Sequence, residues 1–368
     1  MRQPLQAVRG MLDILPEEVE RWRFVEEKAR SLFALFGYKE IRTPLLEPTE
    51  LFARSIGEAT DIVEKEMYTF QDAKGRSVSL RPEATASIIR AFIQHQLYTT
   101  RDRKFFLIGP MFRHERPQKG RYRQFHQIDV EAFGIQDPML DAELMFMATT
   151  FLNSIGVKGV RLEVNTLGCS VCRPAFRTVL QDYLKNHSEK LCPDCLRRID
   201  RNPLRCFDCK VPQCKEAMTD APRITDFVCE KCLEHFSLVK SHLDELSVSY
   251  SVNPAMVRGL DYYVRTAFEI VTESLGAQNA VGGGGRYDGL VKDLGGPDIP
   301  GIGFALGTER ILLLMDESSL PTRSEGVDVY MVLLGEDSRR KGFQLAQKLR
   351  MAGISVEMDY DPKSIKSQ

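Results

Sequence analysis

The chain has 368 residues, and at about 150 residues per domain this length indicates two or three domains. Its composition, 43% hydrophobic and 27% charged, excludes collagen, coiled coil and extended disorder. The net charge of −1 argues against a surface that coats nucleic acid, although a local basic face is compatible with it. No apolar run approaches the roughly 20 residues that span a bilayer, and the N-terminus lacks the apolar core of a signal peptide. We therefore expect a cytoplasmic protein without a membrane partner.

In chain order, the sequence first predicts a long helix that begins at Pro16 and stops before Gly37. A short strand over 38–44 follows and ends at a proline, which suits the edge of a sheet or an interface. A hairpin around the turn 72–75 and a helix over 82–96 come next. Because loops rather than regular helices separate the later strands, the pattern favours a mixed or antiparallel α+β sheet. Those strands are expected at 104–108, 124–134, 268–271 and 302–306.

The last part of the chain is organised differently. Residues 316–326 are polar and predict a linker. An apolar strand over 327–334, an amphipathic helix over 337–351 and a second strand over 354–358 then form a β-α-β unit, the start of an α/β domain. Only 43 residues follow position 325, too few for a doubly covered sheet, so we expect the chain to end inside this domain.

Nine cysteines lie within the 64 residues from Cys169 to Cys232, and the other 304 residues contain none. In a reducing compartment such a cluster predicts metal ligands before disulfides. Two of the spacers between the C-x₂-C pairs, 173–191 and 210–228, have 19 residues each, a spacing typical of Cys₄ zinc sites. One or two structural zinc ions would replace a core that this stretch is too small to build. The candidate ligands are Cys169, Cys172, Cys192, Cys195, Cys209, Cys214, Cys229 and Cys232.

The pairing of these cysteines stays open at this stage. Cys206 and Cys214 are alternatives, because both lie at a permitted spacing from Cys209. His187 and His235 are spare ligands, and a set of reduced thiols without metal is the alternative to any zinc site.

Three separate segments carry side chains suited to phosphate chemistry. The first, 112–131, overlaps a stretch 101–123 with eight basic residues against two acidic ones, in which guanidiniums could bind phosphates. The second, 257–263, places an arginine beside a glycine and before two tyrosines, and the third, 301–310, is a glycine-rich strand that runs into a helix bearing an arginine. Each alone has an ordinary explanation: a solvated charged loop, buried tyrosines, or a chance glycine pattern.

In combination, however, these segments become informative. The proline-ended strand over 38–44, the strand–loop–strand that carries Arg113 and the glycine-rich strand that runs into the helix with Arg310 resemble, in this order, motifs 1, 2 and 3 of class II aminoacyl-tRNA synthetases. The runs 112–134 and 258–263, with RGMLDILP at 9–16 and SLRPEATA at 79–86, are similar to the histidyl-tRNA synthetase family specifically. The resemblance covers about 1–316 and continues into 327–368. It implies an α+β fold with an antiparallel class II sheet flanked by helices. It further implies a catalytic core at 1–168 and 246–320, a cysteine-rich insertion domain at 169–245 and a partial anticodon-binding domain at 326–368.

The resemblance also implies an activity and a set of site residues. The activity is Mg²⁺- and ATP-dependent conversion of L-histidine to histidyl-adenylate, followed by transfer to tRNA(His), in a homodimer that forms through motif 1. The implied catalytic residues are Arg113, Arg258 and Arg310. ATP binding is implied for Arg113, Glu115, Arg121, Phe125 and Arg310. Histidine binding is implied for Glu83, Thr85, Arg113, Gln127, Glu131, Arg258, Tyr262 and Tyr263. Contact with the tRNA acceptor end is implied for Arg116, Gln118 and Lys119.

Two other functions are compatible with parts of the sequence. The regulatory subunit of ATP phosphoribosyltransferase is a non-catalytic paralogue of these synthetases, but such paralogues lose motif 2 and the residues around position 258, which are present here. A zinc-dependent RNA-binding module would account for the 11 basic against six acidic residues of 161–215, for which a solvated helix face is an alternative. That module would leave the histidine-pocket residues unexplained.

Overall fold

A mixed eight-stranded sheet organises the larger of two compact units, residues 1–320 and 321–368. The computed structural model describes residues 5–57, 60–275, 279–320 and 326–361. Neighbouring strands are antiparallel except in the two outermost pairs, which are parallel, so the predicted mixed or antiparallel α+β sheet is confirmed. In spatial order the strands are β1 (Lys39–Glu40), β5 (Lys104–Phe112), β6 (Gln124–Phe133), β11 (Gly301–Gly307), β10 (Ala280–Arg286), β9 (Val264–Thr272), β7 (Val160–Thr166) and β8 (Tyr250–Val252).

A second, three-stranded sheet contains the predicted hairpin. Strands β3 (Thr69–Gln71) and β4 (Ser77–Leu80) are antiparallel, and β2 (Leu46–Pro48) pairs with the other side of β4. The carboxylate of Asp72 accepts hydrogen bonds from the main-chain N–H groups of Lys74 and Arg76, which fixes the turn.

The first predicted strand lies at the edge of the large sheet, as expected, but it is shorter than the sequence indicates. It is restricted to Lys39–Glu40, and Pro44 lies beyond its end. A proline has no N–H group to donate to a ladder, which is consistent with the early end of the pairing.

Several helices of the larger unit pack apolar side chains against the sheet. Helix α1 begins at Pro16, whose fixed φ suits the first helical position, and its Val25, Ala29 and Phe33 face the core at helical spacing. The helices are α1 (Pro16–Leu35), α2 (Thr49–Ile56), α3 (Thr85–Gln94), α4 (Pro138–Ser154), α5 (Arg173–Asn186), α6 (Pro193–Arg201), α7 (Pro212–Ala217), α8 (Glu230–Glu245), α9 (Leu290–Asp293), α10 (Thr308–Leu314) and α11 (Gly335–Met351).

The cysteine-rich stretch is connected to the main core through its last helix. Phe236, Val239 and Leu243 of α8 belong to the same apolar core as α1, α4 and the sheet. The remainder of the stretch has a small core of its own, which includes Phe176 and Leu180 of α5 together with buried cysteines. Helix α8 therefore joins the two regions.

A buried charge cluster strengthens this junction. Arg286, at the end of β10, donates through Nε and Nη2 to the carboxylate of Asp141 in α4 at 2.5–3.0 Å, and both side chains are fully buried. His235 of α8 lies 3.1 Å from the same carboxylate. Burial alone would raise the pKa of Asp141, but the hydrogen bonds from His235 and Arg286 hold that pKa below its ordinary value.

The second unit is a small β-α-β arrangement. Strands β12 (Val329–Met331) and β13 (Val356–Met358) pair in parallel, and α11 connects them, which confirms the predicted order. The first strand is shorter than the predicted 327–334. Residues 321–325 of the predicted linker lie outside the described residues. No helix in the described parts of the chain is long and apolar enough to cross a membrane.

Asp141→Asn should lower the free energy of unfolding by roughly 3 kcal/mol or more, because Arg286 would stay buried without its counter-charge. Urea unfolding can be followed through the fluorescence of Trp22, the single tryptophan, which lies in α1. The control is Glu143→Gln in the same helix. Glu143 pairs with Lys104 at a partly exposed site, so we expect a change below about 1 kcal/mol. Equal effects of the two variants would contradict this role of Asp141.

Candidate active site

A cavity of about 260 Å³ brings together residues that are widely separated in the sequence. Strands β6, β10 and β11, the loop after β5 and the segment 258–263 line it. Every residue to which the sequence assigned ATP or histidine binding contributes to this lining. These residues are Glu83, Thr85, Arg113, Glu115, Arg121, Phe125, Gln127, Glu131, Arg258, Tyr262, Tyr263 and Arg310.

The sheet positions the residues of β6 through the alternation of its side chains. Phe125, Gln127, Asp129 and Glu131 are spaced by two and all line the cavity, as one face of a strand requires. Glu131 is paired in register with Gly303 of β11. A Cβ atom at position 303 would lie 1.9 Å from Glu131 Oε2, so only glycine leaves room for this carboxylate.

Glycine has the same function in β10, where four consecutive glycines precede Arg286. A Cβ atom at Gly283 would lie 2.8 Å from Nη1 of Arg258 and 2.5 Å from a carbonyl oxygen of the neighbouring strand. The glycine-rich run is therefore a strand whose missing side chains make space for the cavity.

One end of the cavity is acidic. Glu131 accepts hydrogen bonds from Thr85 Oγ1 at 2.6 Å and from the hydroxyl of Tyr287, and burial raises its pKa to about 8. Glu83 accepts from the main-chain N–H groups of Thr85 and Ala86 at the start of α3, at 2.8 and 2.9 Å. Burial raises the pKa of Glu83 as well. A ligand that donates hydrogen bonds or carries a positive charge would stabilise the ionised carboxylates.

Asp129 and Tyr287 belong to this acidic end but were not assigned by the sequence analysis. Asp129 is fully buried, neither of its carboxylate oxygens has a hydrogen-bond partner among the described residues, and burial raises its pKa well above the ordinary value. Asp129 lies midway between Gln127 and Glu131 in a predicted strand, so the alternation of side chains along that strand could have identified it as a cavity residue. Tyr287 follows the glycine run, and no local signal indicates its contact with Glu131.

Another part of the cavity lining is rich in arginines. Arg113 donates through Nε to the carbonyl of Pro82 at 2.8 Å, and its guanidinium lies 5.2 Å from the ring centre of Phe125. Burial and the neighbouring Arg121 lower the pKa of Arg310. Glu115 pairs with Arg121 at 2.5 Å and compensates part of this positive charge, and bound phosphate groups would supply further negative charge.

Arg258 lies in the same cavity and is the cation of the segment 257–263. It forms an ion pair with Glu269 of β9, and its guanidinium lies 5.4 Å from the ring centre of Tyr263. Its Nε has no hydrogen-bond partner among the residues that the structure describes.

The three residues assigned to the tRNA acceptor end do not line the cavity. Arg116 and Gln118 line a neighbouring groove with Lys65, and this groove shares Glu115 and Arg121 with the cavity. Lys119 lines neither of the two.

Eight of the nine cysteines form two clusters that could each hold a metal ion. Within each cluster all four sulfur atoms lie within 4.8 Å of one another. The first cluster joins the starts of α5 and α8, and the second joins the region of α6 and α7. The clusters are Cys169, Cys172, Cys229 and Cys232, and Cys192, Cys195, Cys209 and Cys214.

This arrangement distinguishes among the candidate ligands. Cys214 belongs to the second cluster, whereas the Sγ of Cys206 donates to the carbonyl of Cys195. His187 packs against Tyr183, and His235 contacts Asp141, so neither histidine belongs to a cluster. The first cluster combines pairs that are 57 residues apart or more, so the 19-residue spacers did not indicate which pairs meet.

In each cluster a main-chain N–H group donates a hydrogen bond to a cysteine sulfur. Cys229 N–H donates to Cys172 Sγ at 3.0 Å, and Cys192 N–H donates to Cys214 Sγ at 3.1 Å. Burial opposes ionisation of Cys169, but hydrogen bonds from the main chain of Cys172 and Val171 lower its pKa to about 6. Thiolates are the form of cysteine that binds metal.

Comparison with known proteins agrees with the geometry. A family model described as histidyl-tRNA synthetase matches residues 10–311. Proteins named histidine--tRNA ligase from Syntrophotalea carbinolica and Solidesulfovibrio magneticus are 52% and 53% identical to the chain. These alignments cover 99% of the chain and 87% and 86% of the relatives. The apo histidyl-tRNA synthetase of S. aureus superimposes with a TM-score of 0.82 at 37% identity, over 99% of the chain and 87% of that structure. The chain belongs to the histidyl-tRNA synthetase family.

Proposed function

We propose that the chain activates L-histidine with ATP to form histidyl-adenylate and pyrophosphate, and then transfers the histidyl group to tRNA(His). The observation that carries this proposal is a single cavity with buried carboxyl groups in one part of its lining and arginines in another. An amino acid with a positive amino group and a nucleotide with negative phosphates fit these two parts. The non-catalytic paralogue is disfavoured because the full set of substrate residues is present and lies together.

The arginine-rich part of the cavity would bind ATP. Arg113 would hold the α-phosphate, Arg310 would lie near the γ-phosphate, and Phe125 would stack on the adenine. Attack of the histidine carboxylate on the α-phosphorus needs positioning and neutralisation of developing charge, and Arg258 supplies a further cation. Mg²⁺ would accompany the phosphates, since it prefers carboxylate and phosphate oxygens and Glu115 lines this part of the cavity.

The acidic end would bind histidine. Glu83, Thr85 and Gln127 would hold the α-amino group, and Glu131 and Tyr263 would contact the two imidazole nitrogens. An amino acid without these nitrogens would leave buried polar groups unpaired, and such sites discriminate by about 10⁴-fold or more.

The remaining expectations from the sequence extend this proposal to the tRNA and to a second copy of the chain. Arg116, Gln118 and Lys119 would contact the acceptor end, and 326–361 would form part of an anticodon-binding domain. A homodimer is supported by exposed leucines near motif 1 and the N-terminus, among them Leu12, Leu15 and Leu35.

The two cysteine clusters would hold one structural zinc ion each. The sulfur–sulfur distances of 3.5, 3.9 and 3.8 Å for the pairs 169–172, 169–229 and 192–209 fit such sites. Four thiolates at about 2.3 Å from a tetrahedral zinc ion would be separated by about 3.8 Å. The donor set and its N–H···S hydrogen bonds therefore suit zinc, which would stabilise the small core of the insertion.

Arg258→Ala should reduce histidine-dependent exchange of pyrophosphate into ATP by at least about 100-fold, because it removes a cation next to the reacting carboxylate and phosphate. The oligomeric state should not change. Arg161→Ala is the control, since Arg161 is exposed on β7 and pairs only with Glu273 at the surface. Exchange at the rate of the unmodified protein in Arg258→Ala, or no exchange with histidine in the unmodified protein, would contradict the assignment.

Elemental analysis of protein purified in metal-free buffer should find about two zinc ions per chain, one for each cluster. Cys209→Ser should lower this content to about one. Cys206→Ala, the matched control outside the clusters, should leave it at about two. Less than about 0.2 zinc per chain in the unmodified protein would exclude structural zinc.

A further inference from the structure

The segment that carries Arg258, Tyr262 and Tyr263 has little structure of its own. It connects β8 to β9 and lies in no helix or strand. In the described parts of the chain, no main-chain N–H group donates to the carbonyls of Arg258 and Gly259. The position of the Arg258 side chain therefore depends on contacts from elsewhere.

Arg205 of the cysteine-rich insertion makes the principal contacts. Its Nη1 donates to the carbonyl of Arg258 and its Nη2 to the carbonyl of Gly259, both at 3.1 Å. Nη1 also contacts Asp208 at 3.1 Å, and the Arg205 side chain is only 12% exposed. A guanidinium has a rigid planar fork of donors, so one side chain fixes two consecutive carbonyls.

Two more side chains of the insertion hold the rest of the segment. Asn202 donates through Nδ2 to Asp261 Oδ1 at 2.7 Å. Arg173 donates through Nη2 to the carbonyl of Tyr263 and through Nε to the carbonyl of Leu167 at 3.1 Å. The insertion thus contacts the segment at its beginning, middle and end.

Each of these residues follows a cluster cysteine or lies between two of them in the sequence. Arg173 directly follows Cys172 of the first cluster. Asn202 and Arg205 lie between Cys195 and Cys209, two members of the second cluster. A metal ion that ties Cys195 to Cys209 closes this stretch into a short loop and limits the positions that Asn202 and Arg205 can occupy.

We propose that Arg173, Asn202 and Arg205 are positioning residues that hold the Arg258 segment in its active arrangement, and that the cysteine clusters keep these three side chains in place. The insertion is then part of the histidine-binding machinery. This inference rests on the proposed roles of Arg258 and of the metal clusters. A displacement of about 1 Å in a positioned group can cost about 100-fold in rate, so loss of these contacts should be visible in substrate binding and turnover.

The kinetic test uses the full chain and three variants. Arg205→Ala should raise the KM for histidine about tenfold or more, with a change below about twofold in the KM for ATP, since it removes two charge-assisted hydrogen bonds to the segment. Arg205→Lys should restore part of the loss, because an ammonium group lacks the fork that reaches both carbonyls. Arg197→Ala is the control, as Arg197 is an exposed residue of the same region that pairs with Asp194.

A second readout is independent of activity. The bond between Arg258 and Gly259 is a trypsin site, so the rate of cleavage there reports how firmly the segment is held. Arg205→Ala should be cut at this bond at least about tenfold faster than the unmodified protein, while its zinc content stays unchanged. Cys209→Ser, which loses one cluster, should show the same faster cleavage at a temperature where its circular dichroism remains that of the folded protein.

The outcomes separate this inference from the proposed function. If Arg258→Ala abolishes exchange while Arg205→Ala matches Arg197→Ala in both the KM for histidine and the cleavage rate, the positioning role is excluded and the proposed function stands. A faster cleavage in Arg205→Ala without any change in the KM for histidine or in kcat would also overturn the proposal, because the segment would then not need to be held. Full exchange activity in Arg258→Ala would overturn the proposed function itself.

Discussion

The buried ion pair between Arg286 and Asp141 is the interaction on which the rest of the structure depends, because it connects the cavity, the main core and the cysteine-rich insertion. Arg286 ends the glycine-rich strand that lines the cavity, Asp141 lies in the central helix of the core, and His235 brings in the helix that leaves the cysteine-rich insertion. Buried charges are costly unless every donor and acceptor is satisfied, and Arg286 meets this demand by also donating to the carbonyls of Ile135 and Asp137. These hydrogen bonds therefore leave few other positions for the Arg286 side chain relative to Asp141.

Several ionisable groups of the cavity have pKa values that burial shifts away from their ordinary values. Burial raises the pKa values of Glu83, Asp129 and Glu131 in one part of the lining and lowers that of Arg310 in another. Each of these shifts is relieved by a ligand of the complementary charge. Such a site is preorganised, because the sheet and the core fix its dipoles and charges before the substrates bind.

The cysteine-rich insertion contacts the catalytic core in two ways, through apolar packing and through polar hydrogen bonds. Its last helix contributes apolar side chains to the main core, which fixes the orientation of that helix. Its arginines and Asn202 reach the carbonyls and side chains of an irregular segment that has few hydrogen bonds of its own. Polar contacts of this kind depend on distance and angle, and the cysteine clusters restrict both.

The sequence determined the local elements and, through its motifs, the family. Helix α1, the hairpin around 72–75 and the β-α-β unit at the end follow from periodicity and turn residues, which act over a few positions. The residues to which the motifs assigned substrate binding do line one cavity, whereas their individual roles stay predictions. Only the tertiary structure decided which cysteines meet, that Asp129 and Tyr287 share the acidic end, and that the glycine run forms a strand. Those features depend on contacts between strands and helices that are distant in the chain. Neither the spacing of the cysteines nor the low strand propensity of glycine indicates which distant elements make contact.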